Sequence, residues 1–368
     1  MRSRIFSIFI PGVSLRPAED PFMLAYRLFD DGPRLVRDYP VPEPREGQVL
    51  VKVAGAGACH SDLHVIAATA AGNGFFKPPF TLGHENTGWV AALGPGATGV
   101  SVGDKVAVYC AWGCGRCRTC LVGQENYCIY QKTMNGCGLG VDGGMAEYLV
   151  VPAARYLIPL GDLDPVEAAP LTDAGITPYH AINRSRELLR PGATCVVIGI
   201  GGLGHLALQI LRATTAVRVI ALDVADEKLA LARDLGADAT VRSDAGALAN
   251  VMELTHGEPV DVVLDFVGLQ PTIDLGRKLV RGGGDFTIVG LGGGTMTYGQ
   301  GRIAWGARVF TPFYGSIPEM RELIALAERG GIHAHVTRFP LERASDAYQA
   351  LHDGTLDGRA VICPNAAN

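Results

Sequence analysis

The chain lacks what several functional classes need. It has no excess of positive charge: 32 lysines and arginines stand against 37 aspartates and glutamates, a formal net charge of −5. That balance offers no basic footprint for a phosphate backbone, so nucleic acid is not an expected partner. Long apolar runs are also missing. The stretch from Cys195 to Leu211 is broken by a glycine turn and reads as a buried strand plus helix, so no membrane association is expected. No export signal with a small-residue cleavage site is visible. Arg2 and Arg4 precede only the short apolar run Ile5 to Ile10, which Pro11 breaks. Residues 1–22 therefore read as a flexible extension ahead of a folded part starting at Met23. Disorder of the whole is excluded by 48% hydrophobic and only 19% charged residues. A length of 368 residues is too great for one ordinary core and predicts two domains.

Glycine and cysteine are what the chain has in quantity, with 48 and 9 residues. An odd cysteine count without an export signal points to a reduced, cytoplasmic setting and to metal binding over disulfides. Four of the nine follow the spacing Cys114-x2-Cys117-x2-Cys120-x7-Cys128. Thiolates on one short lobe close around zinc as a tetrahedral set with no corner left for substrate, which is a structural site. Cys110 is expected in a strand beside the lobe and not as a fifth ligand. Cys137, Cys195 and Cys363 are expected to be packing residues.

From Leu24 to about Val151 the pattern is short strands between glycines and prolines, with little helical period; this predicts a compact β domain. Beyond Pro170 buried strands alternate with helices, the mark of an α/β, doubly wound parallel sheet. After a helix expected over Pro318 to Arg329, the tail returns to mixed strand and helix and is expected to rejoin the first domain. The boundaries drawn are 23–175 completed by 331–368, and 176–330. Within the second domain, Gly199-Ile200-Gly201-Gly202-Leu203-Gly204 follows the strand Thr194 to Ile198 and opens a helix. Such a turn lets the backbone approach a pyrophosphate at a helix N-terminus. Asp223, 19 residues beyond Gly204, suits the ribose hydroxyls and repels a 2′-phosphate, and no arginine or lysine directly follows it. The expected cofactor is therefore NAD and not NADP. Lys228 is either a cover for the adenosine side or a solvated helix lysine.

Two further motifs, Ala56 to His64 ("AGACHSDLH") and Gly83 to Glu85 ("GHE"), complete an ordered set with the cysteine lobe and the glycine turn. By these four motifs the stretch from Met23 to Pro364 resembles the zinc-dependent medium-chain alcohol dehydrogenases (the medium-chain dehydrogenase/reductase group). The resemblance implies a GroES-like β-rich catalytic domain, a Rossmann domain, an active site between them, NAD, and two zinc ions per subunit. Cys59 and His84 then match two catalytic zinc ligands. Where the family commonly has its third, a cysteine, this chain has Asp173, in the run Asp173-Ala174-Gly175-Ile176-Thr177. That departure is similar to a bacterial NAD-dependent branch acting on secondary alcohols and ketones. A Cys, His, Asp set keeps the formal charge of Cys, His, Cys. Glu85 corresponds to an acidic neighbour of the zinc, either behind the ligands or a transient ligand, and Asp62 to the group that orients His84.

The same resemblance makes Ser61 the hydroxyl that takes the alcohol proton and His64 the solvent end of the relay, with His60 facing the pyrophosphate. Phe76 and Tyr314 are expected to line the substrate pocket. The activity implied is reversible hydride transfer between NAD(H) and a small secondary or primary alcohol or ketone. The alternatives are a polyol or aldehyde dehydrogenase on the same scaffold, or a non-catalytic member. A homodimer or homotetramer paired through the edge of the Rossmann sheet is also implied.

Overall fold

A computed structural model describes residues 21–131, 136–356 and 358–365. The chain divides into two compact units, Met1–Asp173 with Ala334–Asn368, and Ala174–His333. Most of the extension expected over residues 1–22 lies outside the described residues; the first strand, Phe22–Phe29, begins one residue ahead of Met23.

The first unit is built on a seven-stranded sheet. Its path runs Leu157–Pro159, Lys105–Val108, Glu85–Leu93, Val49–Gly57, Arg359–Cys363 and Val336–Pro340, with Tyr148–Val151 also paired to Val49–Gly57. A three-stranded sheet, Gly32–Pro40, Phe22–Phe29 and Phe80–Thr81, lies in the same unit. The returning C-terminal segment thus supplies two strands of the larger sheet.

Register on the central strand positions the chemistry. Val49–Gly57 and Glu85–Leu93 are antiparallel with Gly57 opposite Glu85, so the residues leaving one strand and entering the other emerge side by side. Those residues are Cys59 and His84. On the other flank Val361 pairs with Gly57 and the Ala58 N–H bonds the Ala360 carbonyl at 2.9 Å, which brings Arg359 abreast of Cys59.

A helix, His60–Ala70, stands where little helical period was expected. It is invisible to pattern because it has no fully buried apolar residue; Asp62 is the one buried side chain it carries. Its start is fixed by polar contacts instead, since the Asp62 carboxylate accepts the Cys59 N–H at 3.0 Å and closes a capping box. Cys110 is a further departure, lying two residues past the strand Lys105–Val108; it is buried, as are Cys137, Cys195 and Cys363.

The second unit is a six-stranded, all-parallel sheet ordered Ala239–Arg242, Arg218–Asp223, Thr194–Ile198, Val260–Asp265, Val280–Ile288, Arg308–Phe310. The chain starts in the middle, works to one edge, then returns and works to the other. That reversal opens a crevice at the carboxyl ends of Thr194–Ile198 and Val260–Asp265, the usual cofactor position in such sheets. Val196, Ile198, Ile220, Leu222, Val263 and Phe286 from the strands pack with Val251, Ile273 and Leu279 from the helices. Burial of this kind contributes about 1.5–3 kcal/mol per large side chain. The helix Ile317–Glu328 starts with a reciprocal Ser316–Glu319 capping box, one residue earlier than Pro318.

Candidate metal centres and cofactor turn

One donor cluster forms at the strand ends of the first unit. Cys59, His84, Glu85 and Asp173 each offer a ligand atom, all within 4.8 Å of one another. Cys59 is the N-cap of the helix His60–Ala70, His84 immediately precedes its strand, and Asp173 terminates the 3-10 turn Ala169–Thr172. The Asp173 Oδ2 lies 3.4 Å from the Cys59 Sγ and 3.4 Å from the His84 Nε2. Ligands of a tetrahedral zinc, with Zn–S near 2.3 Å and Zn–N or Zn–O near 2.0–2.2 Å, stand roughly 3.3–3.7 Å apart. The donor set therefore fits such an ion in type and spacing.

The electrostatics fit a cation as well. Burial alone would pull the His84 imidazole down, but Asp62, Asp173 and Cys59 hold its proton well above the ordinary range. Burial pushes the Asp173 carboxyl up, and the hydrogen bond and charge of His84, with Arg359 and Cys59, overcome it and bring it to about 2. Burial raises Glu85, against the opposing pull of Arg359. The Glu85 Oε1 accepts from the Arg359 Nη2, whereas Oε2 is buried with no hydrogen-bond partner among the described residues. An unsatisfied carboxylate oxygen beside a thiol, an imidazole and a second carboxylate is the environment a metal ion completes. Behind His84, Asp62 Oδ1 sits 3.0 Å from Nδ1, which fixes the tautomer that leaves Nε2 toward Asp173.

The remaining expected site residues of this unit divide. Ser61 is half-buried, its Oγ 3.7 Å from the Cys59 Sγ, and His64 is exposed one turn later on the same helix face. His60 is exposed at the helix start. Phe76 is 8% exposed and meets Phe80 edge-on, with ring centroids 6.2 Å apart.

The second cluster is the cysteine lobe. Cys114, Cys117, Cys120 and Cys128 place their sulfurs within 4.8 Å of one another. Cys117 to Cys120 is 3.4 Å, Cys117 to Cys128 3.9 Å and Cys114 to Cys120 3.9 Å. Disulfides need about 2.05 Å, whereas thiolates on one zinc lie roughly 3.8 Å apart. The Thr119 hydroxyl and neighbouring peptides draw the Cys117 thiol down to about 5, while burial sends Cys120 up to about 12. Arg155 clasps the lobe, reaching the Gly113 carbonyl at 3.2 Å and the Glu125 carboxylate at 3.7 Å.

In the second unit the glycine turn leaves the first-entered strand and opens the helix Gly204–Thr214. Gly199 sits at φ 87°, where a Cβ would also strike Val267 at 2.5 Å, and a Cβ on Gly204 would meet the Gly199 carbonyl at 1.8 Å. A Cβ on Gly201 would point into open space. These are the demands of a tight turn, close helix packing and room for a pyrophosphate. Gly202 and Leu203 complete the turn, both half-buried. Asp223 ends its strand, its Oδ2 accepting the Ile200 N–H at 2.6 Å and its Oδ1 the Ala225 N–H at 3.1 Å. The carboxylate is thereby locked beside the turn, with lone pairs left for ribose hydroxyls. Lys228 is half-buried on the helix Asp226–Asp234, and Tyr314 is 5% exposed with φ 54°.

Two residues of the first unit escaped sequence reasoning. Arg359 is a charge inside the otherwise apolar run "RAVIC", which is a signal that it has a buried partner. Tyr348 carries no such mark; its contact with Asp62 spans 286 residues.

Comparison with known proteins agrees with this geometry. Residues 45–162 match the family model described as an alcohol dehydrogenase GroES-like domain, and residues 202–329 the one described as zinc-binding dehydrogenase. An NADP-dependent D-arabinose 1-dehydrogenase of Saccharolobus solfataricus is 35% identical, over 90% of this chain and 95% of that protein. An NAD-dependent alcohol dehydrogenase of Sulfurisphaera tokodaii is 35% identical over 93% of this chain and 100% of its own length. The crystal structure of the alcohol dehydrogenase of Aeropyrum pernix superposes with a TM-score of 0.84 at 38% identity, covering 93% of this chain and all of that one. The ordered motifs, the two donor clusters and these matches together make the chain a member of the zinc-binding medium-chain alcohol dehydrogenase family.

Proposed function

We propose that the chain is an NAD-dependent alcohol dehydrogenase that moves hydride reversibly between the nicotinamide and a secondary or primary alcohol or ketone. The observation that carries this reading is the gathering of Cys59, His84 and Asp173, three ligand types from three separate segments, around one point. These three side chains would hold the catalytic zinc, and Glu85, tied to Arg359, stands beside them. A zinc ion held there would supply a Lewis acid for the substrate oxygen and would lower the pKa of an alcohol hydroxyl toward neutrality. Ser61 accepts the alcohol proton, and His64, exposed on the same helix face, passes it to solvent. The lobe of Cys114, Cys117, Cys120 and Cys128 would hold the second, structural zinc.

Asp223, with no basic residue directly after it, favours NAD over NADP by repelling a 2′-phosphate. His60 is proposed for the pyrophosphate and Lys228 for the adenosine side of the cofactor. Phe76 and Tyr314 are proposed pocket walls, whose aromatic faces suit an aryl or medium alkyl ketone. A homodimer or homotetramer pairs through the Rossmann edge strand Arg308–Phe310, a reading supported by the exposed aromatics Tyr298 and Trp305 close by in sequence, 64% and 80% exposed. No helix among the described residues is long and apolar enough to cross a membrane, and a cytoplasmic setting suits the four free thiols of the lobe.

The 35% identity to an arabinose dehydrogenase favours a second reading, oxidation of a polyol or aldose on the same machinery. Metal analysis and a panel of primary, secondary, aryl and polyhydroxy alcohols, followed by NADH absorbance, tests both. Two zincs per chain and turnover of simple secondary alcohols are expected. Turnover confined to sugars would move the substrate to the second reading. A single zinc with no turnover would overturn the catalytic reading altogether.

A further inference from the structure

Another side chain reaches the carboxylate behind the proposed ligands. Tyr348, on the helix Ala344–His352, is 5% exposed, and its hydroxyl donates to the Asp62 Oδ2 at 3.0 Å. Asp62 is wholly buried and already carries two contacts to proposed ligands. Its Oδ2 accepts the Cys59 N–H at 3.0 Å and its Oδ1 meets the His84 Nδ1 at 3.0 Å. One carboxylate thus ties the backbone of one ligand to the ring of another and takes the phenol as a third donor. The hydroxyl has a single proton. The Met145 sulfur lies 3.2 Å away, but a thioether is a weak acceptor and a buried carboxylate a strong one, so the proton points to Asp62. Burial and the neighbouring Asp62 charge keep the phenol well above its ordinary range, so it stays a donor at working pH. Stacking on Tyr26, with centroids 6.1 Å apart and planes at 27°, fixes the ring.

We infer that Tyr348 is a positioning residue for the catalytic metal: through Asp62, its hydroxyl sets the orientation of His84 and the electron donation of its Nε2. This rests on the reading of Cys59, His84 and Asp173 as ligands. A carboxylate with three donors is less basic than one with two. Without the phenol, Asp62 draws harder on the His84 Nδ1 proton, and it loses one of the contacts that hold its rotamer. Both changes act on the metal through the ligand, as partners behind metal ligands do. The contact also fastens the C-terminal segment to the helix that starts at Cys59, so assembly of the site depends on that segment.

Tyr348→Phe removes one oxygen and keeps the ring. The readouts are zinc per chain, the rate of each zinc's loss to a chelator, the visible spectrum of the cobalt-substituted protein, and the pH profile of kcat/KM. Expected is loss of one zinc about tenfold faster than in wild type, a shifted cobalt spectrum and a displaced pH profile. The lobe zinc should leave at its normal rate, which also reports that the variant is folded. Tyr26→Phe takes a hydroxyl from the stacked partner, which does not touch Asp62, and should match wild type in all four. A packing role alone predicts a lower Tm with unchanged zinc loss and cobalt spectrum, and that result overturns the inference. Wild type holding only the lobe zinc would sink the ligand reading and this inference with it. Two zincs in wild type with unaltered release in Tyr348→Phe would sink the inference alone.

Discussion

Two clusters of four donors lie in the same unit and would hold the same ion, yet they are built on opposite plans. The lobe draws all four sulfurs from 15 consecutive residues, Cys114 to Cys128. The other cluster collects Cys59, His84, Glu85 and Asp173 from three distant segments and adds Arg359 from a fourth. Four thiolates close every corner of a tetrahedron and leave a formal charge of −2 with zinc. A thiolate, a neutral imidazole and a carboxylate bring a divalent ion to formal neutrality, with Glu85 compensated by Arg359. A neutral, three-coordinate ion remains electrophilic and accessible, whereas a saturated, anionic one does not. Local sequence is enough to make a clamp; a reactive centre needs the register of a sheet.

The largest expected effect comes from separating the two. Asp173→Ala should lose one zinc and about 10⁴ in turnover, near 5 kcal/mol, while the lobe zinc is retained. Full metal content and activity in that variant would remove Asp173 from the ligand set. Next is Arg359→Met, which strands a buried carboxylate and should cost about 3–5 kcal/mol of stability. Urea unfolding of this variant alone and combined with Glu85→Gln decides it, since the double variant should recover most of the loss. If both are as stable as wild type, the pair is not what balances the cluster. Cys120→Ser breaks the set of four sulfurs. Release of the lobe zinc then opens the 15-residue loop from Cys114 to Cys128, which should cost about 3 kcal/mol by loop closure, with turnover per folded molecule preserved. Loss of turnover without loss of stability would erase the contrast.

The smallest effect is one of pH, read on the metal-free chain. The Cys117 thiol is held down to about 5, below its unfolded value, so its contribution to stability is full above the ordinary thiol range and is lost as pH falls through about 5. Asp173, brought down to about 2, keeps its contribution over that whole interval and loses it only in stronger acid. Urea midpoints from pH 9 to pH 5 should therefore fall in wild type relative to Cys117→Ser. His84 and Glu85, both raised by the fold, favour the native state as pH falls and do so equally in the two proteins. Equal slopes would mean that Thr119 does not hold a thiolate there.

Much of this was legible in the chain. Cys114-x2-Cys117-x2-Cys120 and the run from Gly199 to Gly204 are local devices, so spacing alone gives their geometry. The parallel strands of the second unit showed as apolar runs because both faces are covered. The helix His60–Ala70 was hidden because it is made by a capping box and carries no apolar stripe. Arg359 and Tyr348 were hidden because their partners, Glu85 and Asp62, lie 274 and 286 residues away.

Residue identity by itself settled which atoms are available to bind a metal and a dinucleotide, since thiols, imidazoles, carboxylates and glycines are chosen position by position. Only the folded sheet decided which of them meet. Pairing Gly57 with both Glu85 and Val361 brings Cys59, His84 and Arg359 to one end of three adjacent strands. Strand pairing is a long-range contact whose partners are set by the packing of the whole unit, and no local spacing encodes it.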